Sequence, residues 1–350
     1  MNFRALKGRY VRAHCLMCLA ICSASGAAQA SNGLNLVGFG AESLGLGSAD
    51  IAMARDSTAV NINPAGLTQI ENHRFDGYLV PFYSFGVSHS DANNADYKID
   101  TQASVFNGVS YAQQALHPNL RFGIGLFLSG GTGIDYDKLN TGFGTRDEYS
   151  AVFGITKLAT GVGWKVSDKL SLGAGINLAY AQARQKIFPN TSDEASGFFG
   201  VRLDGADGFS VNGRIGLQYR VTPTLTLGAS YASETEIKLE RGTLTVNYGT
   251  FQDLGRVKYA DASVDGFALA QELGIGLAWQ FTPRWLFAGE VTWLDWSSAL
   301  RDSRLLATRP ENVNAPAVVD SVQALDHKDQ YVVGLGLAYG WNEKTILRVG

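Results

Sequence analysis

Leu170-Ser171-Leu172-Gly173-Ala174-Gly175-Ile176-Asn177-Leu178-Ala179-Tyr180-Ala181 alternates without a break. Successive side chains of an extended chain point to opposite faces. One face therefore carries Leu170, Leu172, Ala174, Ile176, Leu178 and Tyr180, and the other carries Ser171, Gly173, Gly175, Asn177, Ala179 and Ala181. The same period recurs in 120–129, 209–221, 267–280 and 331–341. In 209–221, for example, Phe209, Val211, Ile215, Leu217 and Tyr219 oppose Ser210, Asn212, Arg214, Gly216 and Gln218. Every charge within these segments falls on the small or polar face. A soluble sandwich turns its polar face to water and fills it with Lys, Glu and Thr. Here that face is mostly Gly, Ala, Ser and Asn, as in a crowded interior. An apolar exterior around a polar interior marks an all-β, antiparallel transmembrane β-barrel. Aromatic pairs such as Phe209 and Tyr219, Phe267 and Trp279, and Trp285 and Trp293 bracket segments of bilayer-spanning length.

Composition agrees with that outward reading. Of 350 residues, 45% are apolar and 17% charged, against about 25% charged in a typical soluble domain. Glycine numbers 41, well above the usual ~7%. A mean hydropathy of -0.02 excludes a bundle of membrane helices and a highly charged disordered chain. Residues 1–30 read as a cleavable signal peptide: Arg4, Lys7, Arg9 and Arg12 precede the apolar Cys15 to Ala24, and Ala28-Gln29-Ala30 is the cleavage site. Bulky Ile21 argues against a lipoprotein site at Cys22. All three cysteines lie in this leader, so the mature chain has no disulfide to stabilise it. With the leader removed, 29 basic side chains fall to 25 against 32 acidic ones, a net charge of −7. That balance excludes nucleic acid as a partner.

A turn pattern repeats at Trp164-Lys165-Val166-Ser167-Asp168, Tyr219-Arg220-Val221-Thr222-Pro223 and Trp279-Gln280-Phe281-Thr282-Pro283, with a looser copy from Tyr339 to Thr345. His117-Pro118-Asn119 supplies an earlier turn. Pro, Asp and Asn pre-set tight hairpins. Short turns on one side and long loops on the other is the outer-membrane arrangement. The long loops are expected at 88–101, 131–148, 183–206, 235–263 and 297–328. About eleven strands result, from 75–86 to 345–350. A barrel that starts and ends on one side needs an even number, so the reading expects about three closing strands beyond Gly350 and a barrel domain of 74–350 truncated at its C-terminus.

Residues 31–73 do not alternate. Gly33, Gly38, Gly40, Gly45 and Gly47 precede a helix-like piece, Ser48 to Asp56, and then Asn61-Ile62-Asn63-Pro64-Ala65-Gly66-Leu67. Alone, Asn63-Pro64 is an ordinary turn. Together, Gly45-Leu46-Gly47-Ser48-Ala49, Asp56-Ser57-Thr58-Ala59 and Asn63-Pro64-Ala65-Gly66-Leu67 resemble, in order and spacing, the start of the FadL/TodX family of outer-membrane transporters. The resemblance implies a fourteen-stranded barrel with 31–73 folded inward as a hatch centred on Asn61, Asn63, Pro64, Ala65 and Gly66. It also implies passive uptake of long-chain fatty acids or aromatic hydrocarbons through an apolar site and a lateral opening. The third strand, about 119–130, would make that opening, and Gly130-Gly131-Thr132-Gly133 would permit its kink.

A carboxylate cargo wants a basic group inside, and Arg121, Lys157, Arg214 and Arg220 fall on the lumen face. Pairing with lumen acids such as Glu272 and Glu290 accounts for them equally. Phe188, Phe198, Phe199, Tyr248 and Phe251 in the long loops either capture cargo or pack the loops together. Ser88-His89-Ser90-Asp91 holds triad residue types, but neighbours in a polar loop do not converge as a triad does. His73, His89, His117 and His327 lack metal-ligand spacing. The reading therefore expects a monomeric barrel in contact with outer-membrane lipid and lipopolysaccharide. It would bind a hydrophobic small molecule and would have no catalytic residues, metal or cofactor. A general diffusion porin, or a structural or adhesive barrel, is the alternative, and neither needs residues 31–73.

Overall fold

A strand with two unlike faces needs two unlike surroundings, and here a curved antiparallel wall supplies them. The computed structural model describes residues 33–53, 56–100 and 103–350, less the side chain of Thr132; the leader 1–30 lies outside the described residues. The wall strands are β1 (His73–Tyr83), β2 (Ala103–Gln114), β3 (Leu120–Asn140), β4 (Arg146–Lys165), β5 (Leu170–Asp193) and β6 (Phe198–Thr222). They continue as β7 (Leu225–Ala232), β8 (Glu272–Thr282), β9 (Trp285–Leu294), β10 (Gln330–Asn342) and β11 (Thr345–Val349). Each pairs with the next in sequence, with β1 and β11 at the ends of the path. The sharp turns fall where Pro, Asp and Asn placed them, at 115–119, 166–169, 223–224, 283–284 and 343–344.

The apolar faces look outward. Leu172, Ile176, Leu178, Phe209, Val211, Ile215, Leu217, Leu273, Ile275, Val333 and Leu335 are all exposed. Opposite them, Asn177, Asn212, Arg214 and Gln218 are buried in the lumen. No helix among the described residues is long and apolar enough to cross a membrane; strands make the crossing.

The long loops prove to be mostly strand. β3, β5 and β6 have 21, 24 and 25 residues, about twice the 9–11 that cross a bilayer. Only 141–145 and 194–197 turn the chain at their far ends. Beyond the lipid the apolar face turns inward and the polar face outward, as Val201 and Leu203 against Arg202 show, so the apolar-out pattern ends although the ladder of hydrogen bonds continues. Four further strands, Thr235–Asn247, Arg256–Leu269, Asp302–Pro310 and Val318–Ala324, extend the sheet from the upper part of β6. Their inner face buries Phe267, Leu239, Val264 and Leu305. The stretch 267–280 is thus two strands, broken at Ala270 and Gln271. Phe267 is buried against Phe153, with ring centroids 5.1 Å apart, rather than facing lipid.

Ile176, 63% exposed, lies midway along the lipid-facing part of β5. Replacing it by arginine should cost about 2–4 kcal/mol, read as a shift in urea-induced unfolding from lipid vesicles. An unchanged curve would mean this face does not meet lipid.

Candidate functional site

The N-terminal segment fills the space the wall encloses. It forms two short helices, α1 (Ala41–Gly45) and α2 (Ala59–Ile62), and a 3-10 turn, Pro64–Gln69. The helix expected at 48–56 is absent among the described residues; 46–53 is a run of turns. A helix would hand the Ile51 carbonyl to the residue four places on. Instead it accepts from Asn63 Nδ2 at 2.7 Å and Gln218 Nε2 at 3.0 Å. Bonds to neighbours outweigh the local helical preference.

Asn63 is the centre of this packing. Its Nδ2 also lies 3.3 Å from the carbonyls of Leu217 and Ala229, cross-strand partners on β6 and β7. Its Oδ1 accepts the Ala65 N–H at 3.2 Å, which caps the turn that Pro64 begins. The wall beneath must be bare for such an approach. A methyl group on Gly216 would overlap the Asn63 carboxamide, and one on Gly173 would overlap Pro64 and Ala65.

Polar side chains fasten the rest of the segment. The Ile62 carbonyl accepts from Arg214 Nη1 at 3.0 Å and Ser230 Oγ at 2.8 Å. Arg214 Nη2 pairs with Glu272 at 2.8 Å, and Glu272 accepts from Asn35 Nδ2 at 3.0 Å. Glu290 Oε2 accepts the backbone N–H groups of Asp50 and Ile51, both at 2.9 Å. Ser57 donates to Asp76 on β1 and touches Ser110 on β2. At the lower end, Gln69 donates to Gln218 at 2.6 Å and Arg121 Nε donates to the Ile70 carbonyl at 2.7 Å.

Between segment and wall lies a cavity of about 200 Å³, reached by Asn35, Phe39, Asn61, Ser129, Lys157 and Leu294 among others. Of the four basic candidates, Lys157 and Arg214 line it. Arg121 is occupied with the segment's exit, and Arg220 is exposed at the rim. Lys157 is 5% exposed, and among the described residues its charged neighbours are Glu272 and Arg214. Glu290, read from sequence as an ion-pair acid, holds backbone instead. Its position on the lumen face of β9 was the available signal.

The aromatic candidates are less open than their sequence setting suggests. Phe199 and Tyr248 are buried, with centroids 5.0 Å apart, and Phe251 lies 5.4 Å from Phe199. Phe188 and Phe198 are half-buried, at 6.2 Å from each other. The strand extensions cover them, so they form the core of the sheet above the wall. At the surface, His89 Nε2 lies 3.0 Å from Asp91 and helps hold the Asp91 carboxyl down to about 2. Asp91 Oδ1 meanwhile accepts the N–H groups of Asn93 and Asn94. That arrangement orders a loop.

One seam of the wall is incomplete. β2 and β3 pair from Gln114 and Arg121 up to Gly108 and Phe127, and no further. Above that point β2 pairs with β1 and β3 with β4, but not with each other; the free side of β3 bonds instead to Asp100, through its N–H to the Asp135 carbonyl, and to the N-terminal segment. A register shift between Leu128 and Gly130 makes Ser129 the extra residue of a bulge, which bends the strand. Gly131 follows at φ 149, where a methyl would crowd Phe153 and Gly154. Gly131 N donates to the Leu34 carbonyl at 2.9 Å, and Asn35 bridges Gly130. The N-terminal segment thus sits directly beside the open seam.

The model for the family described as outer membrane protein transport protein (OMPP1/FadL/TodX) matches residues 19–350. Among solved structures, the toluene transporter TbuX of Ralstonia pickettii has 20% identity and a TM-score of 0.72, covering 90% of this chain and 85% of its own. The toluene transporter TodX of Pseudomonas putida has 22% identity and a TM-score of 0.72, covering 90% and 83%. A FadL homologue of Pseudomonas aeruginosa has 14% identity and a TM-score of 0.67, covering 90% and 79%. No curated protein sequence matches the chain.

If the bare wall seats the N-terminal segment, Gly173→Val should displace it. A cysteine introduced as Ala65→Cys, a position fully buried here, should resist maleimide in the otherwise unaltered mature chain. In the Gly173→Val background it should label more than about tenfold faster. Equal rates would show that Gly173 is not part of the seat.

Proposed function

The chain belongs to the outer membrane protein transport family (OMPP1/FadL/TodX), whose members are outer-membrane channels for hydrophobic compounds, and from that premise we propose a route for its cargo. Residues 31–73 act as a hatch. Hydrophobic molecules enter the cavity between hatch and wall, then leave sideways between β2 and β3 into the bilayer, without crossing the aqueous periplasm.

The observation that carries this reading is the open seam. It begins about seven residues up β3, roughly 20 Å above the inner rim for a tilted strand, within the ~25 Å apolar band. At that depth lipid offers backbone groups no partner, and an unpaired one costs several kcal/mol. Here the N-terminal segment supplies partners, Leu34 at Gly131 and Asn35 at Gly130, so the segment and not β2 lines the seam. The cavity reaches Ser129, the bulge residue itself, so the two features share one boundary.

The cavity's size favours compact cargo. A cavity of ~150 Å³ accepts benzene, so about 200 Å³ suits a single substituted ring. Two of the related structures are of toluene transporters, which agrees with that class. The hatch argues against a general porin, because it occupies the space through which sugars would pass.

Deleting Ser129 removes the bulge while keeping the flanking residues on their faces. This variant should still reach the outer membrane and show heat-modifiable mobility, yet take up radiolabelled toluene at least about tenfold more slowly in whole cells. Uptake equal to that of the unaltered protein would overturn the lateral route. Sugar flux through the unaltered protein would favour the porin.

A further inference from the structure

Aromatic residues on the wall mark the height of the lipid. On the outer face of β6, Phe209, Val211, Ile215, Leu217 and Tyr219 are exposed, and no charge interrupts them. Ten residues separate Phe209 from Tyr219, about 25 Å along a tilted strand, which is the height of the apolar band between aromatic girdles. Phe209 is the direct cross-strand partner of Tyr180 on β5, with ring centroids 4.8 Å apart. That pair marks the upper edge of the lipid, at the end of the wall remote from the short turns.

Above it the outward face becomes basic. Gln185, Val201, Leu203, Val257 and Tyr259 are buried, so their neighbours Arg184, Lys186, Arg202, Arg256 and Lys258 face outward. The register sets Lys186 opposite Arg202, Arg202 opposite Thr245 and Thr245 opposite Lys258. One row about 15 Å wide thus carries three cations and no acid. Arg184 and Arg256 flank it, each two residues away along its strand.

Like charges directly opposite each other destabilise a sheet, and carboxylates relieve only part of this. Glu148 pairs with Lys186 and Asp204 with Arg202, both at 2.6 Å. Arg256 reaches the Asn190 amide oxygen at 2.7 Å. Arg184 and Lys258 are exposed and form no ion pair among the described residues. Elsewhere on the same sheet Arg241, Arg304 and Arg309 each have an aspartate, so the unanswered positive charge gathers around this row. It stands six residues beyond Tyr180, about 15 Å above the lipid edge. At that height lipopolysaccharide carries phosphorylated sugars over its acyl chains. Cations beside an anionic membrane surface are drawn to it, and arginine meets phosphate oxygens with paired N–H groups. The row also continues the face that meets acyl chains below, which favours an anion tethered in the leaflet over a free one.

We propose that this face binds the phosphate groups of lipopolysaccharide, with Arg184, Lys186, Arg202 and Lys258 as the recognition residues. The assignment is independent of the route taken by cargo. Fluorescent rough lipopolysaccharide is titrated against the purified full chain in neutral detergent, before and after its phosphates are removed with hydrofluoric acid. The phosphorylated form should bind at least about tenfold more tightly. The double variant Arg184→Gln/Lys258→Gln should lose at least about fivefold of that affinity. Lys169→Gln/Lys344→Gln, which removes two exposed lysines at the short-turn end, should change it less than twofold, a bound about the size of titration error. Equal binding of the two glycolipids, or equal loss in the two double variants, would overturn the proposal. Binding of a sulfated polysaccharide as tight as that of the phosphorylated glycolipid would reveal a general polyanion surface and overturn it too. Should the first double variant lose heat-modifiable mobility, the comparison of glycolipids on the unaltered protein decides alone.

Discussion

The Asn63 carboxamide joins three backbones that would otherwise be strangers: the turns at Ile51, the 3-10 turn at Ala65, and the β6–β7 ladder at Leu217 and Ala229. The constraint behind it is general. A segment buried inside a membrane protein carries its amide and carbonyl groups away from bulk water, and each must find a partner or cost free energy. Helix solves this internally, yet α1 and α2 together hold only nine residues. The remainder is satisfied by the wall, through Glu290, Arg214, Ser230 and Gln218. The segment's irregular path follows from that dependence: its shape is the shape of the lumen that bonds it.

Such bonding needs backbone to approach backbone, and this explains the surplus of glycine. At Gly173 and Gly216 even a methyl group would collide with the segment. The small face of the strands is therefore a seat, with polar side chains placed between bare positions. Composition alone made glycine look like a marker of crowding in general. The structure makes it the complement of one particular segment.

The parts of the fold legible in the sequence were those whose cause is local. Ile176 and Asn177 point oppositely because strands alternate, and Pro223 and Pro283 turn the chain wherever they occur. What escaped depends on partners distant in sequence or on a change of solvent. In the upper halves of β5 and β6 the faces exchange roles: Ala183, Ile187, Val201 and Leu203 turn inward into a core while Arg184 and Arg202 turn out to water, so the lipid-facing pattern stops although the strands go on. Phe267 shared the period of β8 but packs on Phe153, more than a hundred residues away. The seam at Gly108 and Phe127 was signalled only by the glycines just beyond it, Gly130, Gly131 and Gly133, since the absence of pairing itself belongs to two strands and not to one. For the site, the basic residues of the lumen face were visible, but which were already bonded was not. Arg121 and Arg214 are taken by carbonyls of the segment, and only a folded partner could reveal that.

An ionic network inside a conduit for apolar molecules looks contradictory until the segment's task is considered. Apolar packing alone would hold it in place, but apolar cargo would compete for the same surface and loosen it without discrimination. Bonds from Glu290 to the Asp50 and Ile51 amides, and from Arg214 to the Ile62 carbonyl, are indifferent to a hydrocarbon. They secure the segment around the cavity and leave Leu294 and Val332 on its lining. On the proposed route, a plug fixed by polar bonds and cargo received on apolar surface are separate jobs within one lumen, so occupancy of the cavity need not dislodge what closes it.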